Sequence, residues 1–329
     1  MRIALDAMGG DHAPGVVVDG VLRALQRLDV DVVLAGPEAL LADALAGCDP
    51  ALRPRLSIAD APDVVAMAES PLAALRRKPR SSIRVAVDLV ASGRASAVFS
   101  AGHSGATLLA AHAAFGLVAG VDRPALAITL PTVSGAAVML DVGAGLEAKP
   151  EHLVQFGLLG SSYASAVLSI DRPRVGLLSI GEEAEKGNEL IRDAHARLKA
   201  TPLNFIGNIE ARELFTGRAD VVVCDGFTGN IALKVGEGLV EAIEQMLREE
   251  LGAALVSQIG ALLTRRAFER FRQRVDYAER GAALLLGVRN VTLVGHGRSS
   301  ARAVESGIAM AERVVRAQVI EKMSGQALG

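Results

Sequence analysis

The chain has 329 residues, half of them hydrophobic, and a formal charge of -2 at pH 7. That is enough apolar material for a sizeable core, while the near-neutral balance creates no global field for nucleic acid, and 3% aromatics with no Trp leave little for base stacking. The two cysteines, Cys48 and Cys224, exclude a disulfide framework or cysteine metal cluster, fit a reducing cytoplasm, and read as small buried apolar residues.

In chain order, apolar runs of strand character alternate with helical periodicity. A run over 2–7 precedes a helix over 16–28, and a run over 30–35 precedes one over 38–46. Asp6 stands where an export signal would need its apolar stretch, so none is expected. The segment 62–82 is the least regular. Further strand-like runs follow at 97–100, 138–141, 175–180, 221–224 and 291–294. Such alternation predicts an α/β fold: a mainly parallel sheet with helices on both faces, in one domain spanning 1–329. The apolar run 106–121, broken by His112, is shorter than the ~20 residues that cross a bilayer and reads as a buried helix. From about 238 to 277 two helical stretches follow one another without a strand. The second carries Ile259, Leu262, Leu263, Phe268 and Phe271 among Arg265, Arg266, Arg270, Arg272 and Arg274. This predicts a protruding helical hairpin, with a face for its own core, a second copy or a membrane surface.

Ligands of parallel sheets bind beyond the carboxyl ends of the strands. The turns expected there are polar and rich in glycine. They are Met8-Gly9-Gly10-Asp11-His12, Ala101-Gly102-His103-Ser104-Gly105, Gly143-Ala144-Gly145, the stretch from Gly181 to Asn188, Asp225-Gly226-Phe227-Thr228-Gly229-Asn230, and Gly295-His296-Gly297-Arg298-Ser299. All are expected at one edge, and the Asp225 turn is expected to lead into a helix near Ile231.

Gly9-Gly10-Asp11 lacks the spacing of a dinucleotide fingerprint, and no Walker lysine and hydroxyl pair occurs. What remains is an anion pocket. Ser104 and Gly105 at a helix start offer hydroxyl and N–H donors, and Lys186 offers a compact positive charge. His12 and His296 suit phosphate donors, proton shuttles or structural caps equally. Asp6, Asp11, Asp141 and Asp225 are scattered carboxylates with no His or Cys pair at ligand spacing, so neither metal nor cofactor is expected.

These turns carry a resemblance. Leu5 to Pro14, Ser100-Ala101-Gly102 with Gly105-Ala106, Gly181-Glu182-Glu183 with Lys186-Gly187-Asn188, and Cys224 to Asn230 are similar to the bacterial acyl carrier protein-dependent phosphate acyltransferases of the PlsX family. Ser81 to Ala86, Lys149 to Leu153, Asp276-Tyr277 and His296-Gly297 extend the likeness over almost the whole chain. The resemblance implies transfer of a long acyl group from acyl carrier protein to inorganic phosphate. The acyl phosphate would feed phosphatidic acid and phospholipid synthesis through a downstream glycerol-3-phosphate acyltransferase. It also implies a fold akin to phosphotransacetylases and isopropylmalate dehydrogenases, a homodimer, and a cytoplasmic protein peripherally attached to membrane. The substrate contacts it implies fall on Asp6, Gly10, His12, Gly102, His103, Ser104, Gly105, Thr228 and His296. The chain departs from the usual pattern at His103-Ser104 (Asn-Thr), Gly145 (Asn), Glu147 (Asp) and Arg298 (Ser).

The chemistry suited to these residues is direct attack. Phosphate is already nucleophilic near neutrality and a thiol, with a pKa of roughly 8.5, is a tolerable leaving group. Lys186 is expected to neutralise phosphate or the developing oxyanion, Asn230 to donate a hydrogen bond there, and Asp225 to orient Lys186 or accept the phosphate proton. A non-catalytic sensor of phosphate or acyl phosphate, and a coenzyme A-dependent short-chain phosphotransacetylase, are the competing readings.

Overall fold

The computed structural model describes residues 1–252, 254–275 and 282–325. Its first half consists of β1 (Arg2–Asp6), α1 (Gly15–Arg27), β2 (Asp31–Gly36), α2 (Glu38–Ala44), β3 (Leu56–Asp60), α3 (Pro71–Arg77), α4 (Ser82–Ala91), β4 (Ala97–Ser100) and α5 (Ser104–Phe115). The middle contains β5 (Ala125–Thr132), β6 (Gly135–Leu140), α6 (Pro150–Leu168), β7 (Arg174–Ser179), α7 (Glu189–Lys199), β8 (Asn204–Glu210) and β9 (Val221–Val223). Then come α8 (Gly226–Gly252), α9 (Leu255–Val275), β10 (Ala283–Leu286), β11 (Val291–Val294), α10 (Ala301–Arg316) and α11 (Val319–Gly325).

The eleven strands of the described residues form one sheet in the order β3-β2-β1-β4-β11-β10-β5-β6-β9-β7-β8. Central strands are buried on both faces, which is why β2, β4, β9 and β11 are mostly apolar rather than alternating. Two layers of buried side chains flank the sheet, one around Phe99, Phe156 and Tyr163, the other around Ile83, Phe115 and Met139.

The expectation of a mainly parallel sheet holds, with one arrangement that periodicity does not encode. β10 is antiparallel to β11 and to β5, and β5 is antiparallel to β6. The strands from β6 to β8 therefore run opposite to those from β3 to β11, so the glycine-rich turns do not share one edge. They converge by stagger instead. Leu284 pairs with Leu293 on one side and Ala127 on the other, and the next residue of β5, Ile128, pairs with Met139. The carboxyl ends of β11 and β6 thus reach the same level from opposite directions.

The hairpin is present, but its first helix begins at Gly226 rather than near Ile231 or 238. Asp225 supplies the reason. Its Oδ1 accepts the N–H groups of Phe227 and Thr228, at 3.1 and 2.9 Å, so the polar turn is already the first turn of α8. Asp276 and Tyr277 lie outside the described residues, as do the side chains of Leu255 and Ile259.

Candidate active site

Where the two carboxyl edges meet lies a cavity of about 310 Å³. Leu126 and Ile128 of β5, Val142, Val294, Leu233 and Met310 make its apolar wall. Its polar groups are Ser104, Thr129, Asn230, Lys234, Glu237 and His296, from both halves of the sheet. Of the residues singled out from the sequence, Ser104, Asn230 and His296 converge here.

Asp141, just past β6, organises the floor. It is 1% exposed, and its carboxylate accepts the backbone N–H groups of Leu126, Gly143, Ala144 and Gly145 at 2.8–3.0 Å. Burial raises its pKa, and the four N–H donors oppose the rise. The first turn of α8 presses on this structure. A Cβ at Gly226 would overlap the Gly145 carbonyl oxygen, and one at Gly229 would overlap the Asp141 carbonyl oxygen. Those two glycines permit close helix approach, which sets Asn230 beside Gly143, where an added Cβ would lie 3.8 Å from the Asn230 side chain. The Asn230 amide has no protein hydrogen-bond partner among those recorded for the described residues, and it faces the cavity.

Asp225 does not line the cavity. Besides the two backbone donors, its Oδ2 accepts the Thr228 hydroxyl at 2.6 Å. This carboxylate therefore occupies the seat that the α8 N-terminus would otherwise offer an anion, with Thr228 part of the same cap. Lys186 is exposed in the turn after β7, and its stem covers Gly181. β7 is separated from β6 by β9, roughly 10 Å of sheet, and Lys186 is not among the cavity's lining residues. Cys224 is buried beside the carbonyls of Leu140 and Asp141, and burial pushes its thiol well above the usual range, as suits a core residue rather than a nucleophile.

The first-half turns are tied to another buried carboxyl. Asp6 accepts the Ser100 hydroxyl at 2.7 Å and the Met8 N–H at 3.2 Å, and Ser100 Oγ in turn accepts the Gly102 N–H at 3.1 Å. Burial raises the Asp6 pKa against these bonds. Asp6, Gly10 and Gly102 line a separate cavity of about 160 Å³ with Met67 and Ser82, and exposed His12 lies further along the same edge. His103 caps α5 through its carbonyl, and its Nε2 lies 3.0 Å from the Glu69 carbonyl. Gly105 faces the start of α3, since a Cβ there would lie 3.0 Å from Pro71. His296 Nδ1 accepts the Arg298 N–H at 3.2 Å, which leaves Nε2 as a donor.

Sequence reasoning missed Lys234 and Glu237. Both follow Asn230 on α8 at four and seven residues, the spacing of one helix face, and that spacing was the available signal. It also missed Arg123, whose guanidinium occupies the space a side chain at Gly145 would fill.

Comparison with known proteins gives the chain a family. Residues 1–322 match the family described as fatty acid synthesis protein. A phosphate acyltransferase of Heliobacterium modesticaldum is 50% identical over 324 residues, covering 97% of this chain and 96% of the relative. One from Geobacter sulfurreducens is 45% identical over 329 residues, covering 98% and 93%. A phosphotransacetylase from Streptococcus pyogenes superposes with a TM-score of 0.62 at 18% identity, covering 98% of this chain and 94% of the other. A 4-hydroxythreonine-4-phosphate dehydrogenase from Klebsiella pneumoniae does so at 0.54 and 14%, covering 96% and 99%, and these two likenesses speak for the fold alone. By full-length similarity the chain belongs to the fatty acid synthesis protein family, the PlsX family that its turns resemble, and it is an acyltransferase.

Proposed function

We propose that the protein transfers a long-chain acyl group from acyl carrier protein to inorganic phosphate, releasing acyl phosphate for phospholipid synthesis. The observation that supports this most is the two-sided cavity: an apolar wall for acyl carbons facing Ser104, Asn230 and His296 for the reacting head. A phosphate oxygen attacks the thioester carbonyl carbon, the tetrahedral oxyanion collapses, and the C–S bond breaks to release the carrier thiolate, which takes a proton from water. Asn230 Nδ2 and His296 Nε2 are suited to donate to phosphate or the oxyanion, and Ser104 at the start of α5 adds a hydroxyl beside free helix N–H groups. Lys186, on the flank, contributes to the field that draws anionic substrates towards this edge.

Carrier docking is proposed at α3. Of the basic residues around it, Lys78 pairs with Glu69, Arg80 with Asp60 and Arg84 with Asp88, which leaves exposed Arg76 and Arg77 beside α5 for an acidic carrier. A homodimer is proposed through α8. Phe227, Ile231, Val235, Leu239, Ile243 and Leu247 are all exposed and recur every four residues, an apolar stripe longer than a soluble monomer is expected to show. Exposed Leu262 and Leu263 of α9, near Arg265 and Arg266, suit contact with an anionic lipid surface, although no helix among the described residues is long and apolar enough to cross a membrane. Thiol release from palmitoyl acyl carrier protein, with and without phosphate and against acetyl coenzyme A, tests the reaction. Phosphate-independent release, or a preference for acetyl coenzyme A, would refute it.

A further inference from the structure

A buried phosphate needs a compensating positive charge, because an anion moved out of water without a partner is strongly disfavoured. Lys186, the cation expected from the sequence, does not reach the cavity lining. Lys234 does. It lies one helical turn beyond Asn230, so its ammonium and the Asn230 amide share the face of α8 that looks into the cavity. Its only recorded ionic partner among the described residues is Glu237, with Nζ and Oε2 4.0 Å apart, beyond hydrogen-bond range. The Lys234 side chain is 60% exposed and that of Glu237 25%, so the carboxylate is the more enclosed member and the ammonium has room to swing. Glu237 also lines the cavity. An anion entering here meets a lysine held loosely by an internal carboxylate, a pairing that phosphate can replace with a shorter charge-assisted bond.

Resting on the phosphate acyltransferase reading, we infer that Lys234 is the cation that binds the phosphate acceptor, and that Glu237 weakens this binding by competing for the ammonium and repelling the anion. The two residues then act with opposite sign on one constant, which a merely structural role would not produce.

The test is steady-state kinetics of the full chain with phosphate varied at saturating palmitoyl carrier. Lys234→Met is expected to raise the KM for phosphate roughly tenfold to a hundredfold, the range for one hydrogen bond to a charged group, with little change in the KM for the carrier substrate. Lys234→Arg is expected to recover most of that loss, and Glu237→Gln to lower the KM for phosphate below wild type. An unchanged KM in Lys234→Met, or a raised one in Glu237→Gln, overturns the assignment. Should Lys234→Met melt early, acetylation of Lys234 in wild type, followed by mass spectrometry with inorganic phosphate alone, gives the same answer. Protection by phosphate supports the inference and its absence refutes it. Wild type that releases no thiol on adding phosphate would instead refute the reaction, a different result from active wild type with an indifferent Lys234.

Discussion

Gly229 of α8 lies directly against the carbonyl of Asp141, with no room for a Cβ between them. Through this contact the long helix is seated on the turn that closes β6, and Asn230 and Lys234 are delivered to the cavity. Gly229→Ala should force the helix off this turn. The expected loss is about 1–3 kcal/mol of stability, the range for overpacking, together with a fall in turnover. Calorimetry and the thiol-release assay check both, and an unperturbed melt would show that the helix tolerates displacement.

Asp225 caps α8, so its replacement by Ala should cost about 0.5–2 kcal/mol. Asp225→Ser keeps a cap but removes the carboxylate. Recovery of both stability and turnover in Asp225→Ser would confine this residue to capping. Recovery of stability alone would give the carboxylate a part in the chemistry. Thermal melts and turnover, measured on the same preparations, separate the two.

Lys186 has no ion pair recorded among the described residues and is exposed, so Lys186→Ala should leave stability within about 0.5 kcal/mol of wild type. Its effect should lie in kcat/KM and shrink as salt is added, because distant charges are screened. A loss of turnover that persists at high salt would place Lys186 in contact with substrate.

Reversing both Arg76 and Arg77 to Glu should raise the KM for acyl carrier protein and leave that for phosphate unchanged. On α8 and α9, Leu239→Gln with Ile243→Gln should yield a monomer by light scattering. Leu262→Asn with Leu263→Asn should abolish sedimentation with anionic vesicles while the dimer persists. Vesicle binding that survives the second pair removes the membrane role from that segment.

Burial raises the Asp6 pKa above its ordinary 3.8, so the folded state holds this proton to higher pH than the unfolded chain does. The associated stability is lost as pH rises from about that ordinary value through the raised one, and is constant above. Asp6→Asn keeps an acceptor for Met8 or Ser100 and has no such proton. Its melting temperature relative to wild type should therefore climb as pH rises above about 3.8, and parallel curves would contradict the assignment.

Much of the frame was legible in the sequence. Strands such as β4 and β11 announce themselves because both faces are buried, whereas the Asp225 cap moves the start of α8 ahead of the Ile231 that periodicity suggests. β5 and β10 escaped because they break the alternation of strand and helix: β5 ends in Pro131 and Thr132 and turns straight back into β6, and β10 is a short run between a helix and a strand. With them went the reversal of the second half of the sheet. The motif residues were individually visible, yet which of them share a cavity was not. Lys186 and Lys234 are both lysines near polar, glycine-containing segments; only the strand order, with β9 between β6 and β7, sets the first aside from the cavity, and only the seating of α8 on Asp141 turns the second into it. By itself the sequence determined periodicity, caps and the chemistry available in each turn, because these depend on neighbours within a helical turn or a strand. Tertiary structure decided strand direction, stagger and the convergence of the turns, because these depend on pairing between segments far apart in the chain.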